Sequence, residues 1–197
     1  MFIDVVSEAE ASGELADYYR RQRAAWGFLP DYAGAFATRP DLAAIWDQLN
    51  GAIRNSMPRR RFEIVTIAAA RALGSTYCTA AHSKFLRDVC DDPDAVQKIA
   101  EHPDGSDLSP ADRVAFQFAA KVATDAAAVT QADVDELRSV ANLTDAEVAD
   151  IVFAVAARAF FTRVIEGLGA RLDAATADTF SPALRAAMVV GRPIGPA

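Results

Sequence analysis

The sequence predicts an all-α fold, and three observations carry that expectation. Apolar residues recur at helical rather than alternating spacing along nearly the whole chain. Alanine, the best helix former, is used heavily throughout. Capping residues, prolines and glycines fall at the edges of the periodic segments, where helices start and stop.

Each element follows from that punctuation. Ser7 with Glu10 three residues on is a capping-box pattern, predicting a first helix from there to about Trp26. Gly27-Phe28-Leu29-Pro30-Asp31 breaks it, and a short helix is expected from Asp31. Arg39-Pro40-Asp41 opens another, with Leu42, Ile45, Trp46 and Leu49 at core-facing spacing. Met57-Pro58 opens the next, Pro falling where its missing N–H costs little. This helix, about Pro58 to Leu73, is apolar on most faces between Ile64 and Ala70 and should be central. Gly74 stops it, and Ser75 caps a helix carrying Cys78, His82, Phe85, Leu86 and Val89. Further helices are expected over Pro93 to Ala100, from Ser109-Pro110 to about Thr124, from Thr130 or Gln131, and from a Thr144 cap to about Gly169. Residues 1–180 read as a single helical domain and 181–197 as a C-terminal extension. Its last residues, Gly191 to Ala197, are too rich in Gly and Pro for a helix and should either fray or drape over a neighbouring subunit.

One internal echo stands out. Glu63 to Ala72 and Asp150 to Ala159 share six of ten residues at matched positions, with an acid at the head of each. Convergence of two Ala-rich core helices and an ancient duplication are both open explanations.

The chain has 197 residues, 52% of them hydrophobic and 24% charged, which predicts a soluble globular protein. A net charge of −7 repels nucleic-acid phosphates and anionic lipid, so neither is expected as a partner. The run Arg59-Arg60-Arg61 is too short to reverse this; it marks a helix start, or draws an anionic substrate toward a nearby site. The apolar runs Ile64 to Ala70 and Ile151 to Ala157 fall well short of the roughly 18 residues that a membrane span needs. No signal peptide pattern opens the chain, and two cysteines argue against a disulfide scaffold, so a cytoplasmic setting is expected. No metal-ligand spacing, glycine-rich phosphate loop or Gly-x-Ser-x-Gly elbow occurs, so no cofactor or metal is expected. His102 sits in a polar loop without a partner at ligand spacing and is read as solvent-facing.

The chemistry is concentrated between Glu63 and His82. Cys78 and His82, four residues apart, share one helix face. An imidazole there can take the thiol proton and hold the nucleophilic thiolate. With Ser75 as N-cap, Cys78 lies in the first turn, where the helix N-terminus favours negative charge. If the Glu63 and Cys78 helices form an antiparallel hairpin about Gly74, the helical rise puts Glu63 about 16 Å from the turn, His82 about 12 Å and Cys78 about 6 Å. His82 then stands between acid and thiol, the order that an acid–imidazole–thiol relay needs. Plainer roles remain open: Cys78 as a small core residue, His82 as a half-buried histidine, and Glu63 as a surface acid paired with Arg59 or Arg60.

The window Arg61-Phe62-Glu63 through Ala70-Arg71-Ala72-Leu73-Gly74-Ser75-Thr76-Tyr77-Cys78-Thr79-Ala80-Ala81-His82 resembles the signature of the AhpD-like/carboxymuconolactone decarboxylase superfamily. There an acid precedes, by one helix, a Cys-x-x-Cys-x-x-x-His block. Glu63 matches the acid, Cys78 the second cysteine and His82 the histidine. The Gly27-to-Asp31 element, the Arg39-to-Leu42 helix start, and the Leu108-to-Arg113 and Ala128-to-Val134 stretches resemble the peroxidase-related branch, over roughly residues 3 to 172. The resemblance implies an AhpD-like multi-helix bundle with a central helical hairpin, a homo-oligomer, and Cys78, His82 and Glu63 as catalytic residues. Ser75 and Tyr77 are secondary candidates.

This chain departs from the family pattern at Ser75, which replaces the first cysteine of the redox members and cannot form their intrahelical disulfide. Cys90, about 18 Å beyond Cys78 on a continuous helix, is out of reach of a bond that needs Cα atoms within about 7 Å. A one-cysteine peroxidase cycle with an external thiol as reductant is the leading expectation. A non-redox decarboxylase-like enzyme acting on a small organic acid, and a catalytically degenerate member, are the alternatives.

Overall fold

The computed structural model describes residues 1–196. These form α1 (Gly13–Trp26), a 3₁₀ segment (Asp31–Phe36), α2 (Pro40–Asn55), α3 (Arg59–Ala72), α4 (Thr76–Asp88), α5 (Pro93–Glu101), α6 (Pro110–Asp125), a 3₁₀ turn (Ala126–Ala128), α7 (Gln131–Ala141), α8 (Asp145–Gly167), α9 (Ala174–Ala177) and α10 (Pro182–Ala187). No strand occurs among the described residues, and the fold is the expected all-α bundle.

The α3–α4 hairpin is its centre. Every α3 residue from Phe62 to Ala70 is buried, because α4, α6 and α8 all pack against this one helix. Full burial of Ile64, Val65 and Ile67 contributes roughly 1.5–3 kcal/mol per side chain. The turn between the two helices depends on Gly74, whose φ of 70° lies in the left-handed region. Ser75 then caps α4 by accepting the Cys78 N–H at 3.3 Å. Asp92, Ser109, Thr144 and Ser181 cap α5, α6, α8 and α10 in the same way, with Pro opening α5, α6 and α10.

Several expectations needed correction. Ser7 does bond Glu10, at 2.6 Å, but closes only an isolated turn. Gly13, at φ 56°, opens α1, so the helix begins there and not at the Ser7 turn. On α2 only Trp46 of the anticipated stripe is buried. Leu42, Ile45 and Leu49 are exposed, because α2 meets the rest of the chain through Ala43 and Trp46. Val89 is 58% exposed, since α4 has already ended at Asp88. The structure adds the short α9 and α10, the latter on the cap-and-proline start Ser181-Pro182.

The C-terminal residues lie against their own chain. Val190 and Gly191 donate their N–H groups to Thr76 Oγ1, and the Gly195 N–H bonds the Leu172 carbonyl. The docking needs a glycine at 191: a Cβ there would stand 1.7 Å from the Gly74 carbonyl oxygen.

Candidate active site

Glu63, in the second turn of α3, is fully buried. Its Oε2 lies 2.5 Å from His82 Nδ1, and its Oε1 accepts a hydrogen bond from Arg59 Nε. Glu63 is therefore no surface acid, and it serves Arg59 and His82 together. Burial works to raise its pKa, but the positive charge and hydrogen bonds facing it prevail and hold it below the usual carboxylate value. For His82 burial dominates, and Arg158 adds to it. Together they outweigh Glu63 and push the imidazole down to about 4. At neutral pH the pair is thus a carboxylate and a neutral imidazole. A carboxylate only accepts, so Nδ1 carries the proton and Nε2 is left as the basic nitrogen.

Cys78 follows a different set of contacts. Its sulfur accepts from Arg158 Nη1 at 3.7 Å and from Thr162 Oγ1 at 3.5 Å, both on α8. Among the described residues no hydrogen bond joins Cys78 to His82. The helical spacing does place both on one face, since both line a cavity of about 340 Å³. The expected three-member relay is thus a bonded acid–imidazole pair with the thiol beside it, held from the opposite helix.

The secondary candidates have other attachments. The Ser75 hydroxyl donates to Glu166 Oε1 at 2.8 Å while capping α4, so its proton is committed to α8. Tyr77 lends its ring to the cavity wall, edge-on to Tyr32, but its hydroxyl donates to Asp173 outside the cavity. Cys90 is half-buried and free, and burial raises its thiol pKa.

Trp26, Tyr32, Trp46, Phe85 and Phe161 form the aromatic walls of the cavity. Arg21, Gln22, Asp47, Asn50, Arg54 and Arg158 add to its polar lining. The run Arg59-Arg60-Arg61 faces elsewhere: Arg59 pairs with Glu63, Arg60 with Asp92 and Asp112, and Arg61 with Glu147. Sequence reasoning missed Arg158 and Thr162. The signal was an arginine interrupting the apolar run from Ile151 to Phe161, at the position of the internal echo that matches Arg71. Among the described residues no His/Cys/Asp/Glu cluster suits a metal ion, and no helix is long and apolar enough to cross a membrane.

Comparison with known proteins agrees with this architecture. Residues 40–121, which span α2 to α6 and the whole hairpin, match the carboxymuconolactone decarboxylase family. No functionally curated protein matches by sequence. Among solved structures, a peroxidase-related protein with an alkylhydroperoxidase AhpD core from Ralstonia eutropha JMP134 superposes with a TM-score of 0.77. It is 22% identical, and the match covers 97% of either chain. The debrominase Bmp8, crystallised with 2,3,4-tribromopyrrole, gives 0.72 at 20% identity over 91% of this chain and 95% of its own. A peroxidase-related protein from Silicibacter sp. TM1040 gives 0.74 at 19% identity, over 86% and 90%. Residues 40–121, centred on the hairpin, are thus similar to the carboxymuconolactone decarboxylase family, and the chain as a whole shares the AhpD-like fold of these structures.

Proposed function

We propose that this protein is a thiol-dependent oxidoreductase of the peroxidase type, acting on a small organic molecule through Cys78. The observation that carries this reading is the convergence on one cavity of a buried thiol, a neutral imidazole backed by a carboxylate, and a guanidinium donating to the sulfur. His82 Nε2 takes the Cys78 proton, and the Glu63 carboxylate steadies the imidazolium that results. The thiolate attacks the distal oxygen of a hydroperoxide, the O–O bond breaks, and the imidazolium returns the proton to the leaving alkoxide. The products are Cys78 sulfenic acid and an alcohol. One external thiol condenses with the sulfenic acid, releasing water, and a second resolves the mixed disulfide, yielding an external disulfide and the free Cys78. With Ser75 in place of a resolving cysteine, both reducing equivalents come from outside the chain.

The test is mass spectrometry after mild hydroperoxide treatment with a sulfenic-acid trap. Selective labelling of Cys78 over Cys90 is expected, and equal labelling or none overturns the reading. A second reading is favoured by the missing hydrogen bond between Cys78 and His82: the Glu63–His82 pair handles protons on a small organic acid without the sulfur, as in a decarboxylase. Under it, Cys78→Ser retains turnover and His82→Asn abolishes it. The Bmp8 fold and the aromatic walls widen the substrate class toward aromatic compounds in either case.

A further inference from the structure

The proton relay leaves one group in the cavity unexplained. Arg158 is 4% exposed, and among the described residues no carboxylate lies within ion-pair distance of it. Its Nη1 reaches Cys78 Sγ, but its Nε, also buried, has no hydrogen-bond partner. A buried guanidinium without a counter-charge is strongly unfavourable unless a negative group meets it. Two aromatic rings flank it: the Phe161 and Trp46 ring centroids lie 5.3 Å and 5.9 Å from its central carbon. A cation backed by π faces, with its donors incompletely used, is a ready receptor for an anion.

The rest of the cavity bears out that polarity. Three arginines line it (Arg21, Arg54 and Arg158) against one carboxylate, Asp47, in a chain whose net charge is −7. The positive charge is therefore local to the pocket. His82, neutral at pH 7, adds none, and the charge of Glu63 is taken up by Arg59. The volume of about 340 Å³ suits a one-ring compound, at the small end of ligand sites. Its walls are flat and aromatic, the surfaces on which another ring stacks.

We propose that this cavity recognises a small one-ring aromatic acid, with Arg158 binding the anionic group beside Cys78 and the surrounding rings packing on its aromatic face. The proposal rests on the reading of this cavity as the substrate site, and it names the substrate class. It also assigns Arg158 a substrate-binding role beyond its contact with the sulfur.

Both tryptophans of the chain, Trp26 and Trp46, line the cavity, so their fluorescence reports its occupancy directly. The experiment titrates the full-length protein with benzoate, with benzamide as its neutral isostere, and with cyclohexanecarboxylate as its non-aromatic counterpart. Saturable binding of benzoate is expected, at least tenfold tighter than either comparison ligand. Arg158→Met should reduce benzoate affinity to the benzamide level, with circular dichroism reporting whether the variant is folded. Equal affinity for benzoate and benzamide in the wild-type protein overturns the proposal without reliance on any variant, and so does an absence of benzoate binding at millimolar concentration. The same titration in Cys78→Ser separates this proposal from the thiol chemistry. Benzoate binding together with a Cys78 that resists oxidation removes only the thiol mechanism. A peroxide-reactive Cys78 without preference for the aromatic anion removes only the present one.

Discussion

Replacing Glu63 with glutamine should invert the tautomer of His82, and the reason lies in the bonding of the two carboxylate oxygens. Oε1 accepts from Arg59 Nε and Oε2 accepts from His82 Nδ1 at 2.5 Å, so the native side chain faces two donors at once. A glutamine has one carbonyl oxygen and one NH₂ group to offer these positions. Facing Arg59 with the NH₂ would set donor against charged donor, so the amide oxygen takes that side and the NH₂ faces His82. Nδ1 must then accept, and the imidazole proton moves to Nε2. The nitrogen that served as base becomes a donor. The cost has two parts. Loss of charge-assisted hydrogen bonds inside the protein destabilises the fold by about 1.5–3 kcal/mol. Loss of a positioned general base should lower the rate of Cys78 oxidation by roughly 10²–10⁴-fold. Nitrogen-15 NMR of the imidazoles reads the tautomer, and only His82 and His102 contribute. Urea unfolding and stopped-flow hydroperoxide consumption supply the other two readouts. An unchanged tautomer with a stability loss under about 0.5 kcal/mol would refute the bonding scheme.

Two further outcomes follow from the same geometry. Burial, reinforced by Arg158, holds His82 at about 4 in the folded chain against 6.5 ordinarily, so unfolded chains bind the proton first as pH falls. The contribution is fully present above pH 6.5 and is lost as pH falls toward 4, an effect on the order of 3 kcal/mol. Urea midpoints measured across that range should fall more steeply for the wild type than for His82→Asn, and parallel curves would contradict the assignment. Gly191→Ala places a Cβ against the Gly74 carbonyl oxygen and should release the two N–H bonds to Thr76, costing about 1–3 kcal/mol. Hydrogen exchange should show faster exchange at the amides of Val190 and of position 191 in that variant, and unchanged protection there would show that the tail does not depend on this approach.

Local chemistry explains which features were legible beforehand. The Gly74 stop, the Ser75 cap and the all-round apolar run from Ile64 to Ala70 are one-segment signals, and each appears where it was expected. The meeting of Glu63 with His82 was one of the arrangements open to the sequence, because a tight turn and a fixed helical rise set axial positions on adjacent helices but not their azimuth or crossing angle. The stripe Leu42, Ile45 and Leu49 was misread because periodicity shows that a helix has an apolar face without saying what covers it.

By itself, then, the sequence determined the all-α class and the helix boundaries about Gly74 and Ser75, and it made a meeting of Glu63 with His82 compatible with a hairpin, since spacing and capping act within tens of residues. Tertiary structure alone decided what surrounds Cys78. Arg158 and Thr162 come from a helix some eighty residues away, and their approach to the sulfur depends on how α8 packs across α3. No local rule encodes that crossing. It arises from burying the apolar faces of both helices together, and the same burial leaves the Arg158 guanidinium inside the cavity without a carboxylate partner among the described residues.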